Sequence, residues 1–337
     1  MVIDFNNLRI NNLDCKTDFE KKIKKFLEEW FSKGETVKVQ TSGSTGTPKV
    51  FEIEKNKMLN SAAMTCNFLE LKEGNTALLC LPVEYISGKM MIVRSLERKL
   101  QLIITDPSLK PIENLEAEVD FCAMTPLQVE NSMDKLHLIK NLIIGGASVS
   151  ESLKKRFSGL TTNIYETYGM SETLSHIALK QLNPQAEEYF TAFDNVSISK
   201  DDRGCLKISA PSVNTEMLQT NDLVDIKDEN QFRFLGRIDN VINSGGAKIF
   251  PEALEALIKK EIVNEVVFLG VKDESLGQKL ILVIEGRETD DIMKKISEIQ
   301  FEMRFHKPKE IIFIDKIPRT PNGKVNRKEL LDLISIS

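Results

Sequence analysis

Apolar positions near the start of the chain recur at helical spacing and then switch to alternation. Phe19, Ile23, Phe26, Leu27, Trp30 and Phe31 fall three or four apart, which predicts an amphipathic helix ending near Lys33, with Gly34 as its stop. Thr17-Asp18-Phe19-Glu20 has the form of a capping box at its start. Trp30 lies on the apolar stripe and reads as core. Val37-Lys38-Val39-Gln40-Thr41 alternates, as a half-buried strand does. Asn56, Met58, Leu59, Ala62, Ala63, Phe68 and Leu69 predict a second helix over 56–70. Apolar runs then appear at 76–81, 100–105, 119–124 and 141–144, between helical stretches at 88–99 and from Pro126. Near-continuous apolar strands alternating with helices predict a parallel sheet covered on both faces. From about residue 190 short alternating strands take over at 196–199, 205–209, 223–226 and 232–235, separated by Asp, Gly and Asn turns. Beyond them the pattern is α+β: a helix from Pro251, strands near 265–270, 279–285 and 310–314, and a helix over 289–304. The expected class is therefore α/β. A large N-terminal domain over 1–236 has a mostly parallel sheet flanked by helices and a small antiparallel β subdomain. A boundary falls at 237–240, and a small α+β domain covers 241–337.

Composition narrows the class of function. The 337 residues suit roughly two domains at ~150 residues each. The net charge of −5 argues against a nucleic-acid scaffold, whose basic face normally shows in the balance. Cys15, Cys66, Cys80, Cys122 and Cys205 are scattered singly, so neither a zinc site nor a disulfide framework is indicated. The first residues carry no basic region followed by an apolar run, and no apolar segment approaches the ~18 residues of a membrane span. These features predict a protein of the reducing cytoplasm without a membrane span.

Candidate chemistry centres on Thr41-Ser42-Gly43-Ser44-Thr45-Gly46-Thr47-Pro48-Lys49, directly after the alternating strand. Two glycines and five hydroxyl residues in nine positions suit a loop whose N–H groups and hydroxyls converge on an anion, with Lys49 adding a charge. A nucleotide's phosphates are the natural guest. The spacing is not that of a Walker A loop; the plain alternative is a flexible linker. Ligands of parallel sheets sit outside the carboxyl ends of the strands. Two stretches expected to be loops there draw attention: Gly145-Gly146-Ala147-Ser148, and Tyr165-Glu166-Thr167-Tyr168-Gly169-Met170-Ser171-Glu172-Thr173.

Four stretches align in order with one family: the loop ending in Lys49, Tyr168-Gly169-Met170-Ser171-Glu172, the run from Gly236-Arg237-Ile238-Asp239-Asn240 through Ser244-Gly245-Gly246-Ala247-Lys248-Ile249, and Pro318-Arg319-Thr320-Pro321-Asn322-Gly323-Lys324. Together they resemble the acyl- and aryl-CoA synthetase, adenylation-domain and luciferase superfamily, over residues 37 to 331. The resemblance implies a two-step reaction: a carboxylate attacks the α-phosphate of ATP, and a thiol, usually that of coenzyme A, then displaces AMP. It implies that Thr41, Ser42, Gly43, Ser44, Thr45, Gly46 and Lys49 hold the departing phosphates. Glu172 would hold Mg²⁺, a hard ion suited to carboxylate and phosphate oxygens, and Ser171, where threonine is usual, would reach the α-phosphate. Asp222 would clamp the ribose, with Asn221 in place of the usual glycine and Arg237 helping. Gly145, Gly146 and Ala147 would face the adenine, with Tyr168 stacked on it beside Gly169. Lys324 would be the catalytic lysine of the first step, Asp239 the hinge, and Lys248 part of the face shown to the thiol, which makes the C-terminal domain a mobile lid. Taken singly, Glu172, Asp222 and Lys324 also read as ordinary loop or turn residues.

For the acid, the short region before the loop, with Leu81-Pro82-Val83-Glu84-Tyr85-Ile86-Ser87-Gly88-Lys89-Met90-Met91 and Ser171–Ala178, resembles the compact o-succinylbenzoate–CoA ligases of menaquinone biosynthesis. Tyr85 stands where histidine is usual. A diacid's second carboxylate needs a cation or several donors. Lys89 and Arg94 are the candidates, against the commoner reading as solvated helix charges. His176 has two readings, lining the same pocket or being a core or helix-surface histidine. Other readings are a ligase for another aryl or fatty acid, an adenylation domain loading a carrier protein, and a nucleotide sensor. Monomer and homodimer are both open.

Overall fold

The computed structural model describes residues 1–40, 50–319 and 325–335. The expected phosphate loop at 41–49 and Lys324 therefore lie outside the described residues. In chain order the first elements are β1 (Val2–Asp4), α1 (Asp18–Trp30), β2 (Thr36–Gln40), β3 (Val50–Glu54), α2 (Lys55–Phe68), β4 (Thr76–Leu79), α3 (Ile86–Glu97), β5 (Gln101–Ile104), β6 (Val119–Met124), α4 (Pro126–Glu130), β7 (Ile139–Ile144), α5 (Glu151–Lys155) and β8 (Asn163–Gly169). The capping box forms as the sequence indicates: Thr17 Oγ1 accepts from Glu20 N at 3.2 Å, and Glu20 Oε2 accepts from Thr17 N at 3.1 Å. The periodic face of α1 is buried, Trp30 included.

The run from β9 (His176–Asn183) through β10 (Phe190–Ala192), β11 (Ser197–Lys200), β12 (Cys205–Ala210), β13 (Asn214–Ile226) and β14 (Gln231–Arg237) is antiparallel. Its strands extend the parallel sheet as one 12-stranded sheet, in the order β1-β5-β4-β6-β7-β8-β9-β10-β14-β13-β12-β11. Strands β5, β4, β6, β7 and β8 pair in parallel, and the direction reverses at β8–β9. Two hydrophobic clusters pack on the sheet. One is built around Ile23, Leu27, Met58, Met90 and Phe121; the other is built around Leu78, Cys122, Leu142 and Phe157. Two faces each covered by apolar side chains explain why these strands read as continuous apolar runs.

One expectation is corrected here. Tyr165 to Gly169 is not a loop; it is most of β8, paired with β7 on one side and β9 on the other. Its polar look misled, because Tyr and Thr are good strand formers and the polar side chains find partners within the sheet.

The remaining chain forms β15 (Ile242–Ser244), β16 (Ala247–Ile249), α6 (Pro251–Ile258), β17 (Val266–Asp273), β18 (Gly277–Glu285), α7 (Asp290–Glu298), β19 (Glu310–Ile314) and α8 (Arg327–Ser335). A 5-stranded sheet organises it, with β19 beside β18 in parallel and β17 antiparallel on the other side. Its apolar residues form clusters of their own, around Phe268, Leu282 and Ile258 and around Val283, Ile317 and Leu330. The helix expected over 289–304 stops at Glu298, where Ile299 turns to an extended backbone.

Candidate active site

The ends of β8 and β14 and the interior of β13 bring together residues far apart in sequence. Asp222 on β13 pairs in register with Arg237 on β14. Its carboxylate is buried and takes two bonds: Tyr168 Oη donates to Oδ2 at 2.6 Å, and Arg237 Nη1 donates to Oδ1 at 3.1 Å. The Thr220 hydroxyl accepts from Asp222 N at 3.0 Å within β13. Arg237 also donates through Nη2 to Asp239 Oδ2 at 2.9 Å, and Asn221 Nδ2 reaches both oxygens of Asp239, at 3.2 and 3.1 Å. Arg203 in turn donates to Asn221 Oδ1 at 3.0 Å. The sequence-derived ribose clamp and hinge residue are thus one hydrogen-bonded cluster.

The charges follow from that geometry. Burial pushes the Tyr168 hydroxyl well above its ordinary value, and the Asp222 charge adds to the shift, so Tyr168 remains a donor. The bond from Arg237 pulls the Asp239 carboxyl down. Against the effect of its own burial, Arg237 is held up by Asp239 and Asp222. Tyr168 also packs edge-on against Phe232, with ring centroids 4.9 Å apart, so its ring is fixed from behind and its hydroxyl from in front.

Past β8 the chain makes a tight turn. Ser171, Glu172 and Thr173 form a single 3₁₀ turn. Leu174 then sits at φ 67°, ψ −47°, and Ser175 N donates to Thr173 O at 2.7 Å. That is a three-residue γ-turn at a bulky residue, a conformation that costs energy and persists only when its surroundings enforce it. The buried Thr173 does so: its hydroxyl accepts from Met170 N at 3.0 Å and lies 3.0 Å from Met170 O and 2.7 Å from Ser175 O. Gly169 permits the return, since a Cβ there would come within 2.4 Å of His176 Cα. The turn leaves the Glu172 side chain exposed, with its backbone oxygen accepting from Asn214 Nδ2 at 3.0 Å.

No group of three or more His, Cys, Asp or Glu that could hold a metal occurs among the described residues. A lone outward carboxylate suits Mg²⁺, which takes one or two carboxylates and completes its shell with phosphate and water.

The remaining candidates separate. A Cβ on Gly145 would meet Thr167 Oγ1 at 2.8 Å, so the Gly145–Ala147 turn lies directly over β8. Glu166, also on β8, accepts from Val149 N at 3.0 Å and pairs with Lys180 at 2.9 Å, anchoring the far end of that turn. Tyr85 is exposed and bridges in parallel to Gln40, the last described residue before the 41–49 stretch. Lys248 on β16 is exposed.

Lys89 and Arg94 are not solvated helix charges; both are buried, and they face different ways. Lys89 sits 4.8 Å over the Phe26 ring of α1, where burial lowers its pKa against the pull of Glu29 and Glu84. Arg94 instead reaches β9, donating through Nη2 to Ser175 Oγ at 3.1 Å. His176 is beside it and buried, with Nε2 3.0 Å from Thr65 Oγ1. Burial, reinforced by the Arg94 charge, holds the His176 pKa well below the ordinary histidine value, so the ring is neutral. The aromatic ring of Phe193 meets His176 edge-on at 5.5 Å and lies 5.3 Å from Phe68. Sequence reasoning missed Ser175, Thr173 and Glu166. Only the hydroxyl content of the stretch after Glu172 pointed to the first two.

The fold has known counterparts. The AMP-binding enzyme family matches residues 17–198, and this chain belongs to that family of acyl-adenylate-forming ligases. Among its relatives, 2-succinylbenzoate–CoA ligase of Listeria monocytogenes serovar 1/2a is 25% identical over 94% of this chain and 73% of its own length. The solved acyl-CoA synthetase (AMP-forming)/AMP-acid ligase II-like protein from Dyadobacter fermentans is 35% identical, with a TM-score of 0.67 and 97% of each chain covered. O-succinylbenzoate coenzyme A synthetase from Bacillus subtilis, solved with ATP and magnesium ion, shares the fold. Its TM-score is 0.72 at 20% identity, over 87% of this chain and 69% of that one. No helix among the described residues is long and apolar enough to cross a membrane.

Proposed function

We propose that this enzyme activates o-succinylbenzoate with ATP as the acyl-adenylate and then transfers the acyl group to coenzyme A. The observation that carries the nucleotide half is the buried Asp222 carboxylate, held between the Tyr168 hydroxyl and Arg237. Such a carboxylate accepts hydrogen bonds from two vicinal ribose hydroxyls without moving, because its neighbours already fix its plane. Tyr168, three residues before Ser171 and four before Glu172, ties that clamp to the turn where phosphate chemistry takes place. The acid is supported by the name borne by relatives such as the Listeria monocytogenes ligase.

In this reading residues 1–236 form the adenylate-forming domain, 237–240 the hinge and 241–337 the lid. The attacking carboxylate oxygen displaces pyrophosphate from the α-phosphorus. The 41–49 stretch holds the departing phosphates, and Lys324 neutralises charge at the reacting carboxylate and α-phosphate. Glu172 would hold magnesium, which when bound would neutralise charge on the phosphates. Ser171 donates to the α-phosphate. The Arg237–Asp239 and Asn221–Asp239 bonds hold the hinge in one orientation, and rotation about Asp239 exchanges Lys324 for the face carrying Lys248.

The test is exchange of labelled pyrophosphate into ATP, with a panel of aryl, fatty and dicarboxylic acids, followed by thioester formation with coenzyme A or a carrier protein. Exchange driven by o-succinylbenzoate above all others, with thioester formed on coenzyme A, is the expected result. Preference for another acid overturns the assignment of the acid, and a strict requirement for a carrier protein overturns that of the thiol.

A further inference from the structure

Few polar groups join the two parts of the chain on either side of residues 237–240. Among the described residues, one hydrogen bond connects 1–236 with 241–337: Lys155 Nζ, on α5, donates to Lys260 O at 3.0 Å. Lys260 lies just past the end of α6, where backbone carbonyls lack a helical donor and favour a cation. Both residues are exposed, so the bond is weak and easily broken. The second contact is close and only half satisfied. A Cβ on Gly236, near the end of β14, would come within 2.6 Å of Glu252 Oε2, in the first turn of α6. Glu252 Oε1 accepts from Asn240 Nδ2 at 2.6 Å and lies 3.7 Å from Arg327 Nη2. Oε2 is buried and has no hydrogen-bond partner among the described residues. A carboxylate oxygen shut away from water without a donor costs more than a neutral group in the same place.

The two contacts pull in opposite directions. Both span the hinge, so rotation of the lid about Asp239 separates them. Lys155 then loses Lys260, and Glu252 Oε2, no longer against Gly236, gains water. We propose that Lys155 and Glu252 are positioning residues that balance the lid, Lys155 favouring the orientation seen here and Glu252 disfavouring it. This rests on the ligase reading above and its rotating lid, but not on which acid is activated. An enzyme that visits two orientations in every cycle is slowed by a deep minimum at either one. A weak bond set against an unmet carboxylate oxygen keeps this orientation shallow. Neither residue touches substrate; each acts through the placing of the lid, which shifts populations only by the difference of its contacts in the two states.

The experiment measures the two half-reactions separately in wild type, Lys155→Met, Lys155→Arg, Glu252→Gln and the double variant of Lys155→Met with Glu252→Gln. One is exchange of labelled pyrophosphate into ATP with the best acid of the panel. The other is thioester formation from that acid's supplied adenylate and coenzyme A. Lys155→Met is expected to change the ratio of the two rates by about two- to fivefold, slowing the half-reaction that uses this orientation and not the other. Glu252→Gln keeps the acceptor for Asn240 and removes the charge, so it should move the ratio by a similar factor in the opposite direction. The double variant should lie between the two, and Lys155→Arg, which retains a donor, should stay near wild type. A merely structural role would lower both half-reactions together and leave the ratio alone. Should Glu252→Gln fail to fold, the two Lys155 variants decide the matter, by a shift in Lys155→Met and its recovery in Lys155→Arg. Ratios that do not move, or that move the same way in Lys155→Met and Glu252→Gln, overturn the proposal and leave the ligase reading intact. No exchange with any acid in wild type overturns the ligase reading itself, before any variant is made.

Discussion

Two arginines in this molecule, Arg94 buried and Arg327 partly buried, are treated in opposite ways. Arg327, at the start of α8, donates both terminal nitrogens to Glu255 of α6, each at 2.8 Å, and gives a further bond at 2.9 Å to Phe268 O. Phe268 N completes the set by donating to Glu255 at 2.8 Å. The pair locks α6, β17 and α8 together. Arg94 in the large sheet's domain is at least as buried and has a hydroxyl, a thioether and no carboxylate. A charge matched inside the fold serves the fold, whereas an unmatched one costs stability.

The largest effect that could break this comparison is on stability. Glu255→Ala removes the bidentate partner of a mostly buried Arg327 and leaves it only Glu252 at 3.7 Å and Phe268 O, which should cost about 2–3 kcal/mol. Urea unfolding followed by circular dichroism, with hydrogen exchange at β17 and β18, should locate the loss in the C-terminal sheet. Arg94→Met removes an uncompensated charge, so without acid present its stability should stay within about 1 kcal/mol of wild type or rise. The reverse pattern would make Arg94 the clamp.

A second test uses the position of Arg327 three residues after Lys324. The clamp fixes where the chain re-enters the sheet, so Lys324 itself should carry no structural load. Lys324→Ala should slow adenylate formation by about 10²- to 10³-fold, the range for removing one preorganised group that stabilises transition-state charge. It should spare thioester formation from supplied adenylate and leave the Tm unchanged. Equal loss in both half-reactions would refute the assignment.

Asp222 is the intermediate case: an acid with partners inside the chain that a ligand must share. Arg237, one of those partners, is about half exposed and divides its guanidinium between Asp222 and Asp239. Asp222→Asn keeps the shape and removes the charge. It should weaken ATP binding by about 1–3 kcal/mol, a roughly tenfold to hundredfold rise in Kd by calorimetry, with kcat changed less. An unchanged Kd would leave Asp222 with a purely structural role in β13.

How much of this could be read in the sequence differs between the two arginines and their surroundings. The α1 capping box and the parallel strands were legible because short-range spacing encodes them. The clamp Tyr168–Asp222 spans 54 residues, and only the order of the motifs hinted that the two meet. Strand β8 was hidden by its polar letters, since its hydrogen-bond partners come from β7 and β9. The burial of Lys89 and Arg94 was illegible for a related reason. On a helix a charged residue is normally read as facing water, and only the packing of α3 against α1, α2 and β9 decides otherwise. The bidentate Glu255–Arg327 pair left no local signal at all, because its members are 72 residues apart.

The smallest effect belongs to a third kind of charge, matched but not deeply buried. Glu265 pairs with Lys259 and, at 2.7 Å, with Arg319. Burial alone would raise its pKa, but the bonds from Lys259 and Arg319 outweigh it and bring the carboxyl below the ordinary glutamate value of 4.5. A carboxyl with a depressed folded-state pKa contributes stability that is complete above its unfolded value and is lost as the pH falls through the folded one. The stability gap between wild type and Glu265→Gln should therefore be constant above about pH 5 and close steadily below 4.5. Because the site is partly solvated, the gap itself should not exceed about 1 kcal/mol. Thermal melts across that pH range, repeated at high salt, decide the matter. A gap that shrinks with salt marks a screened surface network. A gap indifferent to salt would place Glu265 with Glu255, as a second internal clamp.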